Sequence, residues 1–287
     1  MKNVSIMTAA VCLSAIVLFT SCDVNIRTKD YRDSEKWGKV TADTLDLKQF
    51  DNIVVNAAVD VVLTQGDKLK VVVEGNEQAI NEYTYIVEDD ELEENGSTLT
   101  IDVARRLNYN LPSVRLRIIT PNISNITLNG SGDFDIKDSL SVDHLNIDVN
   151  GSGDIDVRQL STASTLTLHL YGSGDATVRD LECQYLKVET DGSGDANLRN
   201  VNCAEEAEFM TSGSGDVDAT IDARCITATA QGSGDIDLEV ECELLNISSQ
   251  GSGDVEIKGH TNKLHTKSTM LGTTTTKKLK ADTVIYE

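Results

Sequence analysis

The sequence predicts an all-β solenoid of stacked parallel strands with about 20 residues per coil. Three observations carry that expectation. The tetrapeptide Gly-Ser-Gly-Asp occurs seven times, opening at Gly130, Gly151, Gly172, Gly192, Gly213, Gly232 and Gly251, at intervals of 21, 21, 20, 21, 19 and 19 residues. Each interval holds two short runs that alternate apolar and polar residues, such as Asp154-Ile155-Asp156-Val157 and Leu166-Thr167-Leu168-His169-Leu170. That is the period of a half-buried strand, and nothing in the repeats has helical spacing. Aligned on the tetrapeptide, apolar residues form columns. One is Phe134, Ile155, Ala176, Ala196, Val217, Ile236 and Val255; a second is Ile136, Val157, Val178, Leu198, Ala219, Leu238 and Ile257. A lone coil cannot bury such columns, whereas a stack buries them continuously. An antiparallel sandwich would have no reason to keep so even a period.

The segments follow in order. Residues 1–21 read as a signal peptide: Lys2, an apolar run from Ile6 to Phe19, then "LFTSC", where a bacterial lipoprotein would be cut and acylated at Cys22. The apolar run is too short for a spanning helix. Residues 22–42 have no hydrophobic period and are expected to form a polar tether that contains Trp37. Residues 43–129 lack the tetrapeptide but alternate well, and "ENGS" at 94–97 supplies a tight turn. They are expected to form irregular starting coils or a small β cap. Residues 130–258 are the regular repeats. Residues 259–287 should form a last coil and a capping strand, "DTVIYE".

The net charge of −22 is unevenly placed: −7 over residues 22–129, −19 over 130–254 and +3 over 255–287. Such a surface repels nucleic acid and anionic lipid heads and favours cations or basic partners. Aromatic residues are only 4%, which argues against a sugar-stacking platform.

The repeated corner has a structural reading. With the next coil only ~4.8 Å away there is little room for side chains. Glycine permits close approach and positive φ, and Ser and Asp accept local backbone N–H bonds. The rival reading is calcium, held by a ladder of Asp133, Asp154, Asp175, Asp195, Asp216, Asp235 and Asp254. Like charges ~4.8 Å apart repel by about 0.9 kcal/mol in water, so something must offset the ladder. A second acidic column, Asp135, Asp156, Asp218, Asp237 and Glu256, is interrupted at Thr177 and Asn197. Calcium takes six to eight oxygens, and one Asp per corner is a thin supply. No cofactor is therefore expected, with calcium as the alternative.

His144, His169, His260 and His265 share no repeat position and read as surface residues. Cys183, Cys203, Cys225 and Cys242 lie 11, 11, 12 and 10 residues after their glycines, nearly one column. Stacked strands lie within disulfide range, and an exported protein meets an oxidising compartment. Cys183–Cys203 and Cys225–Cys242 are thus possible bridges, against four reduced cysteines packed inward.

"FDNIVV", "VDVVLTQGD" and "VVVEG", followed by the GSGD series, resemble the putative auto-transporter adhesin, head GIN domain family over roughly residues 45–260. The resemblance implies secreted or lipid-anchored β-helical proteins of Gram-negative bacteria. It also implies a fold similar to the right-handed parallel β-helix of pectin lyase-like proteins, and it supplies no active-site residues.

The expected function is non-catalytic: a cell-envelope lipoprotein, adhesin-like or a scaffold displaying ligands. It would sit in the outer membrane through Cys22 and bind a glycan or a host or envelope protein, not nucleic acid. The alternative is a carbohydrate-active β-helix enzyme, a polysaccharide lyase or hydrolase. Such enzymes need differentiated carboxylates in a walled groove. Coil lengths that vary by two residues exclude long insertions, and seven equivalent Asp residues offer no distinction.

Overall fold

The computed structural model describes residues 37–89, 96–104, 111–268 and 273–286. The signal segment and Cys22 lie outside them. The chain forms a β-solenoid of about eight turns. The early strands are β1 (Val40–Leu45), β2 (Asn52–Val55), β3 (Val59–Gln65) and β4 (Lys70–Asn76). A one-turn helix, α1 (Glu77–Ile80), leads to β5 (Tyr83–Asp89), β6 (Ser97–Val103) and β7 (Val114–Thr120). Half-coil strands follow: β8 (Asn125–Leu128), β9 (Phe134–Val142), β10 (Leu145–Val149), β11 (Ile155–Thr162) and β12 (Thr165–Leu170). Thereafter one strand runs round each coil: β13 (Ala176–Thr190), β14 (Ala196–Thr211), β15 (Val217–Ala230), β16 (Ile236–Ser249), β17 (Val255–Ser268) and β18 (Thr274–Tyr286).

Both apolar columns stack in register and are buried along their whole length. Further inward columns join them, one of which is Ile147, Leu168, Val188, Phe209, Ala228 and Ile247. Phe209 is fully buried where its column neighbours are Val188 and Ala228, so large and small side chains alternate to fill a core of constant width. Buried Thr190 and Thr211 donate their hydroxyls to the carbonyls of Gly215 and Gly234, at 3.2 and 3.3 Å, which ties the corners to the core.

The change in coil length is local. Where β14 meets β15, Leu198 pairs with Ala219 and Val201 with Ile221, so Arg199-Asn200 shrinks to Thr220. Cys203 pairs with Ala223 and Glu206 with Cys225, so Ala204-Glu205 shrinks to Arg224. Two corners each lose one residue, 21 becomes 19, and every inward column is kept. Asn200 and Asp180 sit at the longer form of the first corner with φ of 55° and 52°, and Asn200 donates to Asp180 at 2.9 Å.

The start of the chain differs from a simple run of opening coils. In space β2 lies between β6 and β8, and β3 lies between β7 and β9. The coil first in sequence is therefore sandwiched by later ones. Beyond it the stack ends in antiparallel strands: β5 on β6 in one sheet, then β4 on β7 and β1 on β4 in the other. Alternation marks these strands but does not name their partners. Trp37 is buried against this cap and β1 begins at Val40, so ordered packing reaches into the segment expected as tether. At the other end β18 pairs along its full length with β17, as a whole coil rather than a short capping strand.

Candidate functional site

The seven GSGD aspartates form one ladder, and its geometry explains why Asp occupies the position. Each Asp backbone C=O accepts the N–H of the residue after the preceding Asp, as in Ala196 N–H to Asp216 O at 2.8 Å. Its own N–H is directed at that same coil below. The side chain there accepts it. Asp154 N–H donates to Asp133 Oδ1 at 3.1 Å, Asp175 to Asp154 at 2.9 Å, and Asp195 to Asp175 at 2.9 Å. Asp216, Asp235 and Asp254 continue the series at 2.8, 2.7 and 2.6 Å. Thr273 N–H closes the top on Asp254 at 2.7 Å, and Asp133 N–H rests at the bottom on Asp60 at 3.4 Å.

Asp60 is a residue that motif counting misses. "NAAVD" at 56–60 stands where the next coil has "NGSGD" at 129–133: Val55 pairs with Leu128, Val61 with Phe134, and Asn129 donates to Asn56 at 2.7 Å. Asn and Asp at a spacing of four, between Ile53-x-Val55 and Val61-x-Leu63, were the available signal. In the GSGD corners the glycines give clearance from the coil below. A Cβ on Gly130 would lie 2.0 Å from the Ala57 carbonyl oxygen, and one on Gly194 would lie 2.0 Å from that of Gly174. The expectation of positive φ in these corners does not hold: among the described residues the positive-φ glycines are Gly38, Gly96 and Gly259.

The carboxylate ladder therefore has a backbone task, and removing charge should cost little where the acceptor stays. Asp195→Asn keeps an oxygen for Asp216 N–H. Its urea midpoint should correspond to a stability within about 0.5 kcal/mol of wild type. Asp195→Ala removes the acceptor and should cost about 1 kcal/mol. Thermal melts with calcium and with chelator should shift both chains alike; a large calcium gain lost in Asp195→Asn would instead mark the ladder as an ion site.

The second acidic column is neutralised by Lys and Arg of the same or the adjacent coil. Lys137 lies 3.3 Å from Asp135, Arg199 lies 3.3 Å from Asp218, and Arg179 bonds Asp156. Lys258 lies 3.0 Å from Asp237 and 3.4 Å from Glu256. The interruptions at Thr177 and Asn197 thus coincide with arginines on the same coils that reach the flanking acids. The Asp156 and Asp237 carboxylates raise the pKa of Arg179 and Lys258 through these hydrogen bonds. Among the described residues, no group of His, Cys, Asp and Glu is gathered to hold a metal ion.

The histidines do not meet. His144 lies 3.7 Å from neighbouring Asp143, and His260 lies 3.0 Å from Glu241. His265 lines a small depression with Asn246 and Lys267. His169 departs from the surface-residue expectation. It is a half-buried rung between Asp148 and Glu189 in register on adjacent coils. Its Nδ1 is 3.1 Å from Asp148, and its Nε2 is 2.9 Å from Glu189 but outside hydrogen-bonding alignment. Lys187 holds the other Glu189 oxygen at 2.8 Å.

The cysteine column also needs correction. Cys183 stacks on Cys203, but the next rungs are Ala223 and then Cys242. Cys225 lies two positions on, opposite Glu206 and Leu244, so Cys225–Cys242 is out of register as a bridge. The one-residue difference in spacing reflects the shortened corners. All four carry free thiols. Cys203 Sγ contacts the carbonyls of Gln184 and Glu206 at 3.2 and 3.1 Å. The Cys183 thiol pKa is pushed up, first by its hydrogen bond with Cys203 and then by burial.

Two open depressions of about 340 Å³ lie along the outward corner ridge. One is bordered by Asp222, Arg224, Glu241 and Glu243, the other by Asn200, Thr220, Asp222 and Glu239. Arg224 is engaged by Glu205 at 2.8 Å. The flank is regular, acidic and without overhanging loops in the repeat region.

Comparison with protein families matches residues 49–224 and 205–287 to the putative auto-transporter adhesin, head GIN domain. Among solved structures, a putative adhesin from Bacteroides fragilis NCTC 9343 superposes with a TM-score of 0.68 at 22% identity, covering 76% of this chain and 97% of that one. A putative adhesin from Parabacteroides distasonis ATCC 8503 gives 0.69 at 20% identity, covering 87% and 98%. A protein from the same strain described as a putative lipid binding protein gives 0.63 at 19% identity, covering 87% and 94%. At these identities the likeness is one of fold. No curated protein matches.

Proposed function

The chain belongs to the putative auto-transporter adhesin, head GIN domain family, and from that premise we propose a non-catalytic, adhesin-like envelope lipoprotein that presents its acidic flank to a partner. The observation that carries this reading is the use made of the carboxylates. The corner ladder accepts backbone N–H groups, and the second column is met by Lys and Arg of neighbouring coils. Hydrolysis or elimination on a sugar needs two acids in unlike environments facing one bond. Repetition gives like environments instead, together with a rigid surface of regular charge. The partner is a glycan, or a host or envelope protein with a basic face, since charge complementarity governs encounter with such a surface.

A glycan and extracellular-matrix array probed with the purified mature chain should give specific, salt-sensitive binding without product. Asp222→Lys with Glu241→Lys, both on the open ridge, should weaken binding while leaving the melt unchanged. Release of reducing ends or unsaturated sugars from any arrayed polysaccharide would overturn the non-catalytic reading. Anchoring through Cys22 has its own test. Cys22→Ser should move the protein from the membrane fraction to the soluble one, and retention in the membrane would remove the lipoprotein reading.

A further inference from the structure

The two ends of the solenoid differ from its sides. Seven large apolar side chains are exposed among the described residues, and five lie at the ends. Val40 and Ile86 are on the terminal strands β1 and β5, 77% and 49% exposed. Val284, Ile285 and Tyr286 are on β18, at 40%, 42% and 80%. Val284 and Tyr286 continue the inward columns through Leu264 and Thr266, so they occupy core positions on the last described strand. Among the described residues, β18 pairs only with β17, β5 only with β6 and β1 only with β4. Among the described residues each end is thus a strand edge with a single neighbour, a template for another strand.

The edges also match in place and charge. One sheet of the solenoid runs from β5 at one end to residues 283–286 at the other. There Ile86, between Tyr85 and Val87, is the counterpart of Val284, Ile285 and Tyr286. The second sheet runs from β1 to residues 274–281. There Asp43, with Asp46 just beyond, is the counterpart of Lys277, Lys278 and Lys280. Stacked along the solenoid axis, a second copy would set apolar against apolar in one sheet and lysine against aspartate in the other.

We propose that this chain associates with itself head to tail, the last coil of one copy adding its edge to β1 and β5 of the next. The other pairings are disfavoured by charge. Tail to tail brings three lysines of β18 against three, and head to head brings Asp43, at the centre of β1, against its own copy. Side-to-side contact would oppose two flanks drawn from a segment of charge −19. A head-to-tail contact uses two different surfaces and does not close, so it builds a series.

The test uses the exported chain carrying Cys22→Ser, so that no acyl group contributes to association. Light scattering on a sizing column should show mass rising with concentration beyond twice the monomer. Ile86→Lys blocks one end and Ile285→Glu the other. Both sites are exposed, so both variants should melt like wild type. Each alone should be monomeric. Mixed in equal amounts they should give a species of twice the monomer mass and nothing larger, because one intact edge of each kind remains. A wild-type chain that stays monomeric up to its solubility limit overturns the proposal. So does an Ile86→Lys variant that still dimerises alone, which would mean a tail-to-tail contact.

Discussion

Gly194→Ala is expected to destabilise the protein by about 3 kcal/mol or more, at the upper end of what one inserted methyl costs. Its Cβ would lie 2.0 Å from the Gly174 carbonyl oxygen and 2.8 Å from the carbon of that group. Backbone cannot yield as a side chain would, because it is fixed from both sides. Ser193 N–H donates to Gly172 O at 2.9 Å, and Ser173 N–H to Gly151 O at 2.9 Å, so adjacent corners are bonded rung to rung. Relieving the clash means opening that corner and losing its bonds. Against a total stability of about 5–15 kcal/mol for a typical domain, the change should be plain in a urea titration. Ser193→Ala, at an exposed neighbour in the same corner, should stay within about 0.5 kcal/mol and serves as the control. A cost below about 1 kcal/mol for Gly194→Ala would mean that the glycine serves chain flexibility, the usual scale of a Gly–Ala difference, and not clearance between coils.

What the sequence made legible follows from that constraint. The period and the inward columns are written in the residues themselves, because stacking demands the same kind of side chain at the same place in every coil. Phe134 to Val255 and Ile136 to Ile257 could therefore be aligned before any coordinates. Features that depend on which coil lies beside which were hidden. The "NAAVD" corner carries no glycine, so it was invisible to a count of GSGD, yet Asp60 is the foot of the ladder. The insertion of β2 between β6 and β8 leaves no trace in alternation. Distance along the chain runs through corners that change length, so spacing alone places Cys225 in a column it does not share. The partners of His169 lie 21 residues before it and 20 after, one coil away on each side, where no local motif marks them. Trp37 sits in a polar segment with no period, so its burial against the cap was not announced by its neighbours.

The largest contrast is expected between two deletions of the same coil. Removing residues 172–191 joins Tyr171 to Gly192 and brings a 21-residue coil onto another of 21. Val157 then stacks on Leu198 and Leu168 on Phe209, positions that shared columns through the missing rungs Val178 and Val188. The corner ladder re-forms too, with Asp195 N–H on Asp154 in place of Asp175. The shortened protein should unfold cooperatively, with a urea m value lower by about one eighth, because m follows the surface exposed and one of about eight coils is gone. In a linear stack a repeat interacts only with its neighbours, so its removal costs one intrinsic and one interface contribution. Removing residues 172–181 takes the corner and the first-sheet rungs Ala176, Val178 and Leu181, and leaves the rest of the coil in place. Residues 182–191 would then have to follow Tyr171 without turning, and the side chains of Leu186 and Val188 could not return to their columns. That chain should show no cooperative transition and should be cut rapidly by protease under conditions where the full-coil deletion survives. The larger deletion is thus the milder one, because it restores register. Equal tolerance of the two deletions would be incompatible with stacked coils.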